Sequence, residues 1–310
     1  MHKKNSLILL ATYNGGKYIK ESLDSFPTET DIFISDDCSQ DDTVSVINQY
    51  REKNITLCTG KRHGSATSNF RFLINNCSNK YEYYFLADQD DCWTNDKYSV
   101  LIEEMKNLEK LYGPEIPILI YGDSLVVDKN LDLIDESFFK YDGIDPYLIS
   151  RNGLNIFFQN IGQGATMIFN RALLEQVRII PENIYMHDWW LMLFAQTFGV
   201  LHLSDKKTLL YRQHGDNSIG ATKRNLLQQI YSQIKQKSKI KEHLKNVINQ
   251  TEQFYIEYHG NISDKQISNF LTSFLDVIRK KNFFIRKIFL LRHKIYLSSL
   301  KRTLVLYLYF

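Results

Sequence analysis

Residues 84–93 read YFLADQDDCW. The apolar run from Tyr84 to Ala87 has the composition of a buried strand, and it stops abruptly at three carboxylates, Asp88, Asp90 and Asp91, with only Gln89 between them. A single aspartate at such a place forms a turn or caps a helix. Three within four residues repel one another unless a cation or ordered donors compensate. A hard divalent cation answers that need, because Mg²⁺ takes one or two protein carboxylates and fills its shell with water and phosphate oxygens. A metal that in turn holds a diphosphate, beyond the end of a buried strand, is the reading this stretch favours.

Working outward, residues 7–12, 32–35, 55–59, 83–87 and 118–127 are short apolar runs bounded by polar or glycine-containing turns. Stretches with helix-like apolar spacing lie between and after them, at 17–26, 42–52, 67–77 and 97–112. Strand and helix alternate, which predicts an α/β fold with a mainly parallel sheet and helices on both faces. In such sheets ligands bind beyond the carboxyl ends of the strands. TYNGG (12–16), SDDCSQDDT (35–43) and DQDD (88–91) all fall at those ends.

Residues 128–160 read as an irregular aromatic-rich insertion. IGQGATMIFNRALLEQV (161–177) follows as a turn, strand and helix, then MHDWWLMLFAQTFG (186–199) as a buried helix and LHLSDKKTLLYRQH (201–214) as a closing strand pair. From about residue 221, glycine and proline nearly vanish and long Lys- and Gln-rich helical patterns take over. The expected organisation is a catalytic domain over 1–220 and a basic helical extension over 221–310.

Composition narrows the class. Hydrophobic residues make up 44% and aromatic residues 13% of the 310, which excludes a disordered chain. The four cysteines are widely spaced, with no C-x-x-C pair and no histidine at zinc-ligand spacing, so a reducing cytosol fits. The apolar run near the N-terminus, Leu7–Ala11, is too short for a signal peptide or a span. TYNGG is neither a P-loop nor a GxGxxG dinucleotide motif, so those two enzyme classes lose support.

Each remaining motif has two readings. TYNGG and SDDCSQDDT serve equally as ordinary strand-to-helix turns with capped helix starts. In HDWW (187–190), Asp188 either caps a helix whose tryptophans belong to the core, or is a partly desolvated carboxylate suited to general-base work. In YRQHGDNSIGA (211–221), His214 is either a satisfied polar residue or a group that closes over the diphosphate or the metal.

Taken in order, ATYNGGKYIKESLDS (11–25), ISDDCSQDDT (34–43), FLADQDDCW (85–93) and HDWW resemble the glycosyltransferase family 2 signature, over roughly residues 5–220. That resemblance implies the GT-A fold and a nucleotide-sugar donor held at Ala11, Tyr13, Asp36, Asp37 and Asp88. Tyr13 would lie against the base, Asp37 would contact it with Asp36 sharing that work, and Asp88 would reach the nucleotide. Asp90 would be the principal ligand of Mg²⁺ or Mn²⁺. Asp188 would take the proton from the acceptor hydroxyl, giving inversion at the anomeric carbon. The segment HGSATSNFRF (63–72) departs from the family by having Ser68 and Asn69 where many relatives carry an arginine; Arg62 and Arg71 are the alternatives for compensating the diphosphate. GQGATMIFNR and YRQHGDNSIGA are similar to bacterial rhamnosyltransferases of the family. That likeness tilts the donor towards dTDP-rhamnose and sets Gln163 and Gly164 in the sugar or acceptor pocket, while His214, just after a strand, is the candidate for donating to phosphate or completing the metal shell.

Residues 221–310 hold 17 Lys+Arg against 5 Asp+Glu, whereas the first 220 hold 21 against 30. Residues 277–310 contain 9 cations, interleaved with Phe, Ile, Leu and Tyr, and no acid. This suits a segment that lies on an anionic membrane surface rather than crossing it; packing on the catalytic domain is the plainer alternative. No nucleic-acid motif accompanies the charge. The expectation is therefore a metal-dependent glycosyltransferase, cytoplasmic and peripheral on the inner face of the plasma membrane. It would move rhamnose to a lipid-linked saccharide in O-antigen or capsule synthesis. Rivals are a UDP-hexose or UDP-N-acetylhexosamine donor, a membrane-associated scaffold without activity, and an aspartate-nucleophile phosphatase. The phosphatase is disfavoured because Asp91, Cys92 and Trp93 follow the aspartates where that chemistry expects a small hydroxyl residue.

Overall fold

The computed structural model describes residues 5–50, 53–177, 179–213, 226–280 and 282–310. The chain divides into two compact units, the first comprising Met1–Asp142, Gly162–Glu182 and Met186–Arg212, the second Gly143–Ile161, Asn183–Tyr185 and Gln213–Phe310. The boundary expected at 220/221 lies outside the described residues, and the second unit also takes in two short segments from earlier in the sequence.

In the first unit, β1 (Ser6–Thr12), α1 (Ile19–Ser25), β2 (Asp31–Asp36), α2 (Thr43–Ile47), β3 (Asn54–Cys58), α3 (Ala66–Asn76) and β4 (Tyr83–Asp88) follow one another as strand and helix in turn. Then come β5 (Cys92–Trp93), α4 (Lys97–Tyr112), β6 (Ile118–Gly122), β7 (Leu125–Val127), β8 (Leu133–Asp135) and α5 (Phe138–Asp142). The second unit's α6 (Leu148–Arg151) precedes β9 (Ile168–Asn170), α7 (Arg171–Val177), α8 (His187–Phe198), β10 (Val200–Ser204) and β11 (Leu209–Arg212), which return to the first.

The main sheet has the order β10-β6-β9-β4-β1-β2-β3. Its β1, β2, β3 and β4 pair in parallel, as do β6 and β10, while β9 runs antiparallel between β4 and β6. Every residue of β1 and β2 is buried, the mark of a sheet covered on both faces. One face packs Ile8, Leu10, Ile32, Ile34, Phe85, Ile118 and Ile168 against Ile19, Leu23, Leu101 and Met105 of the helices. Complete burial of a Leu or Ile side chain contributes roughly 1.5–3 kcal/mol, so this layer fixes the strand ends beyond it.

The structure departs from two sequence expectations. Residues 118–127 form two strands rather than one, because Asp123 Oδ1 accepts from the N–H groups of Ser124 and Phe139 and turns the chain. The closing strands do not pair with each other: β10 lies in the main sheet, and β11 joins β5, β7 and β8 in a second, four-stranded sheet.

The second unit continues with α9 (Leu226–Tyr258), α10 (Lys265–Lys280), α11 (Phe283–Arg292) and α12 (Leu300–Tyr309). Its core is aromatic. Phe158 meets Phe310 at 5.2 Å between centroids, and Phe270 meets Phe157 and Phe289 at 5.3 Å each. No described helix is long and apolar enough to cross a membrane.

Candidate active site

The polar motifs gather at one edge because the register puts the strand ends side by side. Ala11 pairs with Asp88 on one side of β1, and Thr12 with Asp36 on the other. The loops beyond are tied together by hydrogen bonds. Asn14 N–H donates to Ser39 Oγ, Gln40 N–H to Asn14 Oδ1, Gly15 N–H to Thr43 Oγ1 and Gly16 N–H to Asp41 Oδ2, each 2.8–2.9 Å. Asn14 takes φ 49°, a left-handed conformation that asparagine tolerates. A Cβ on Gly15 would lie 2.2 Å from Gln89 Oε1, and one on Gly16 1.8 Å from Asp42 Oδ1. A side chain at either position would displace Gln89 or Asp42 from its place in these loops.

The two acids of the second loop are held differently. Asp36 accepts from Thr12 Oγ1 (2.9 Å), Ser39 Oγ (2.5 Å) and Ser39 N–H (2.8 Å). Asp37 accepts from the backbone N–H groups of His63 and Gly64, which draws the 60–64 loop to it. Tyr13 is 44% exposed, so its ring is open to a stacking partner.

Charge is concentrated beyond β4. Burial, then Asp90, then Asp188 push the Asp88 carboxyl up to about 7, with Lys97 pulling the other way. Burial, then Asp90 and Asp88, also raise Asp91. Lys97, 0% exposed, is pushed down to about 7 by burial while Asp91 and Asp88 pull it back. Its Nζ donates to the Ala165 carbonyl and lies 4.2 Å from the centre of the Trp93 ring.

Asp188 is 5% exposed and occupies the first turn of α8, whose N-cap is Met186 rather than Asp188 itself. The helix N-terminus favours its negative charge. Gly164 packs against it: a Cβ there would stand 3.4 Å from Asp188 Cβ and 3.3 Å from His187 Nε2. His187 stacks on Phe70 at 4.1 Å, and burial lowers its pKa. Gln163 accepts from Ser124 Oγ at 2.7 Å, and its carbonyl receives Thr166 N–H and Oγ1. Arg71 pairs with Glu182 at 3.3 Å, while Arg62 is exposed. His214 lies outside the described residues.

The donor set fits a hard cation in its chemistry. Asp88 and Asp90 are carboxylates whose mutual repulsion an added positive charge would relieve, and two carboxylates suffice for Mg²⁺ when phosphate and water complete the shell. Among the described residues no group of three or more His, Cys, Asp or Glu side chains is arranged to hold an ion.

Three site residues escaped the sequence reading. Gln89 exchanges two hydrogen bonds with the Tyr13 backbone. Buried Arg212 donates from its backbone N–H to Asp91 Oδ1 (2.9 Å) and from Nε to the Asp90 carbonyl (2.8 Å), and reaches the Lys129 carbonyl and Glu21 with its terminal nitrogens. Lys97 is the third, and it did leave a signal: it stands at i of an i, i+4, i+8 buried stripe with Leu101 and Met105.

A family model described as Glycosyl transferase family 2 matches residues 7–125. The chain is 32% identical over 233 residues to the dTDP-rhamnosyl transferase RfbG of Shigella flexneri, covering 68% of this chain and 74% of that one. An uncharacterized glycosyltransferase of Rickettsia typhi is 27% identical over 191 residues, 59% of this chain and 55% of its own length. Among solved structures, S. aureus TarS 1–349 in complex with UDP-GlcNAc superposes with a TM-score of 0.55 at 16% identity, over 87% of this chain and 70% of that one. At that identity the likeness is one of fold.

Proposed function

Since the chain belongs to glycosyl transferase family 2, and is a glycosyltransferase of the GT-A fold, we propose that it transfers rhamnose from dTDP-rhamnose with inversion of configuration. What supports the reading is that the strand register sets Asp88 beside Ala11 and that Asp88 lies within electrostatic reach of both Asp90 and Asp188, so we place the nucleotide-side and acceptor-side carboxylates at one reaction centre. The 32% identity to a protein named as a dTDP-rhamnosyl transferase supports the choice of donor.

In this mechanism Tyr13 stacks on the base, Asp37 contacts the base with Asp36 sharing that work, and Ala11 lets the nucleotide approach the edge of β1. Asp188 accepts the proton of the acceptor hydroxyl while that oxygen attacks the anomeric carbon. The nucleoside diphosphate leaves from the opposite face, so the configuration inverts. Mg²⁺ or Mn²⁺, held by Asp90 with Asp88 beside it and His214 as a further candidate ligand, would supply electrophilic stabilisation of the leaving diphosphate. Gln163 and Gly164 line the sugar or acceptor pocket.

The proposed acceptor is a lipid-linked saccharide of surface polysaccharide synthesis, O-antigen or capsule, met at the inner face of the plasma membrane. The helical unit supports this locale. On α11, Phe284, Ile288 and Leu291 are exposed at i, i+4 and i+7, and on α12 Leu300, Leu304 and Leu308 at i, i+4 and i+8. The opposite sides of the same helices bury Phe289, Leu290 and Leu306. Two apolar stripes in an acid-free segment with 9 cations over 277–310 suit an anionic bilayer, each nearby cation adding about 1 kcal/mol.

The test is a panel of dTDP- and UDP-sugars with Mg²⁺, Mn²⁺ or chelator, read by release of dTDP or UDP. Release from dTDP-rhamnose alone, lost with chelator, is the expected result. Release from a UDP-hexose or UDP-N-acetylhexosamine instead would replace the donor and keep the rest.

A further inference from the structure

We propose that Lys97 is a positioning residue, a strut that sets the distance between the acidic edge beyond β4 and Asp188 by holding the 164–166 turn. The inference goes beyond the proposed function but rests on it in one respect, the role of Asp188.

Three observations converge on the strut. Lys97 is completely buried at the start of α4, where its own N–H donates to Thr94 O. Its Nζ is the donor to the Ala165 carbonyl, in the middle of the one-turn helix Gly164–Thr166. That turn is fixed at both ends, by Thr166 on the Gln163 carbonyl and by Leu86 N–H on the Met167 carbonyl at 3.3 Å, and its Gly164 faces α8 so closely that a Cβ there would stand 3.4 Å from Asp188 Cβ and 3.3 Å from His187 Nε2. Lys97 thus holds the turn that faces Asp188, while its charge faces Asp91 and Asp88.

Burying an ammonium is expensive unless it is paired and hydrogen-bonded. A methionine would fill the same volume among Trp93, Leu101 and Ala165 at no such cost, so volume alone does not account for a lysine here. Two explanations remain, and they differ in what they require. Neutralising the acids requires only a positive charge near Asp88 and Asp91. Holding the turn requires a donor of this length.

The experiment separates them with Lys97→Arg, which keeps the charge and changes the reach, beside Lys97→Met, which loses both. Nucleotide affinity is measured by calorimetry with dTDP and Mn²⁺, and turnover by transfer to acceptor. The strut predicts that Lys97→Arg lowers kcat at least fivefold with the dTDP Kd within threefold of wild type. It also predicts that Gly164→Ala and Lys97→Arg combine non-additively, as residues acting through one element do. Wild-type kcat in Lys97→Arg overturns the proposal, because charge then suffices. Parallel loss of kcat and affinity, or effects that multiply independently within twofold, also overturn it. Lys97→Met serves as a second reading: low affinity with unchanged kcat would assign Lys97 to charge balance. If Asp188→Asn leaves transfer intact, the base role of Asp188 fails and the strut loses the part of the proposed function it rests on; if that variant is inactive and Lys97→Arg is normal, only the strut fails.

Discussion

Gln89 and Tyr13 hold each other by a reciprocal pair of hydrogen bonds: Tyr13 N–H donates to Gln89 Oε1 at 2.8 Å, and Gln89 Nε2 donates to the Tyr13 carbonyl at 2.9 Å. The side chain between the aspartates therefore behaves like a strand partner for the loop after β1. It spaces the ring proposed to stack on the base relative to the acids proposed for the diphosphate.

Gln89→Ala removes both bonds from a partly exposed place, where each is worth about 1 kcal/mol. The dTDP affinity should fall about five- to thirtyfold while the midpoint of thermal unfolding changes little. Gly15→Ala should cost as much or more, since its Cβ would meet Gln89 Oε1 at 2.2 Å. Titration calorimetry of both variants checks this, and wild-type affinity in Gln89→Ala would remove the clamp from the account.

The strand ends were legible in the sequence for a physical reason. β1, β2 and β4 are buried on both faces, so they read as unbroken apolar runs and the first polar residue marks the edge. Asp36 and Asp88 fall there by composition alone. What could not be read depends on partners distant in the chain. Arg212 touches residues 21, 90, 91 and 129, and no local pattern announces such a set. The break in 118–127 rests on one carboxylate oxygen of Asp123 accepting from Phe139. Lys97 was visible in principle, as a charge within an apolar stripe at helical spacing.

Asp188→Asn preserves the shape of the α8 start and removes the proton acceptor. Transfer should drop by about 10²–10⁴-fold, the range for general-base removal, with dTDP affinity within threefold of wild type. Kinetics with acceptor beside calorimetry with nucleotide make the comparison. Equal transfer by the variant would show that a group other than Asp188 takes the acceptor proton.

Arg212→Met strands several groups at once: the carbonyls of Asp90 and Lys129 lose their donor, and Glu21 loses its partner. Glu21 is half exposed and recovers water, so the loss comes mainly from the two part-buried carbonyls, at about 1–3 kcal/mol each. Urea denaturation should show a destabilisation of about 3 kcal/mol. A change below about 0.5 kcal/mol would mean that the acidic loop does not depend on this residue.

Serine at Phe284, Ile288 and Leu291 together tests the outer stripe of α11 without touching Phe289 or Leu290 beneath it. Burying about half of each apolar side chain contributes roughly 1 kcal/mol per residue, so binding to phosphatidylglycerol-containing vesicles should weaken about a hundredfold. Raising salt should weaken the wild type as well, because the cations act through a screened attraction. Vesicle sedimentation reads both effects, and binding that ignores both salt and the serines would leave the membrane-surface reading without support.

The pH dependence carries two opposite signs. Asp88 titrates near 7 in the folded chain, above its ordinary carboxylate value, and Asp91 is raised as well. Through Asp88 the folded state then binds more protons than the unfolded one between about pH 4 and 7, so this group lowers stability as pH rises through that window, and Asp91 acts with the same sign. Lys97 acts in reverse: with its pKa lowered to about 7, the unfolded state binds the extra proton above that value, and stability recovers as pH rises further. The protein without ligands should therefore be least stable near pH 7. Cation affinity runs the other way through the acid window, because a protonated Asp88 is a poor ligand, so Mn²⁺–dTDP binding should strengthen from pH 5 to 7 and then level off. Asp88→Asn should flatten the stability dip and the affinity rise together. If the variant keeps the full pH dependence of Mn²⁺–dTDP binding, the proton that competes with the cation resides on a different group.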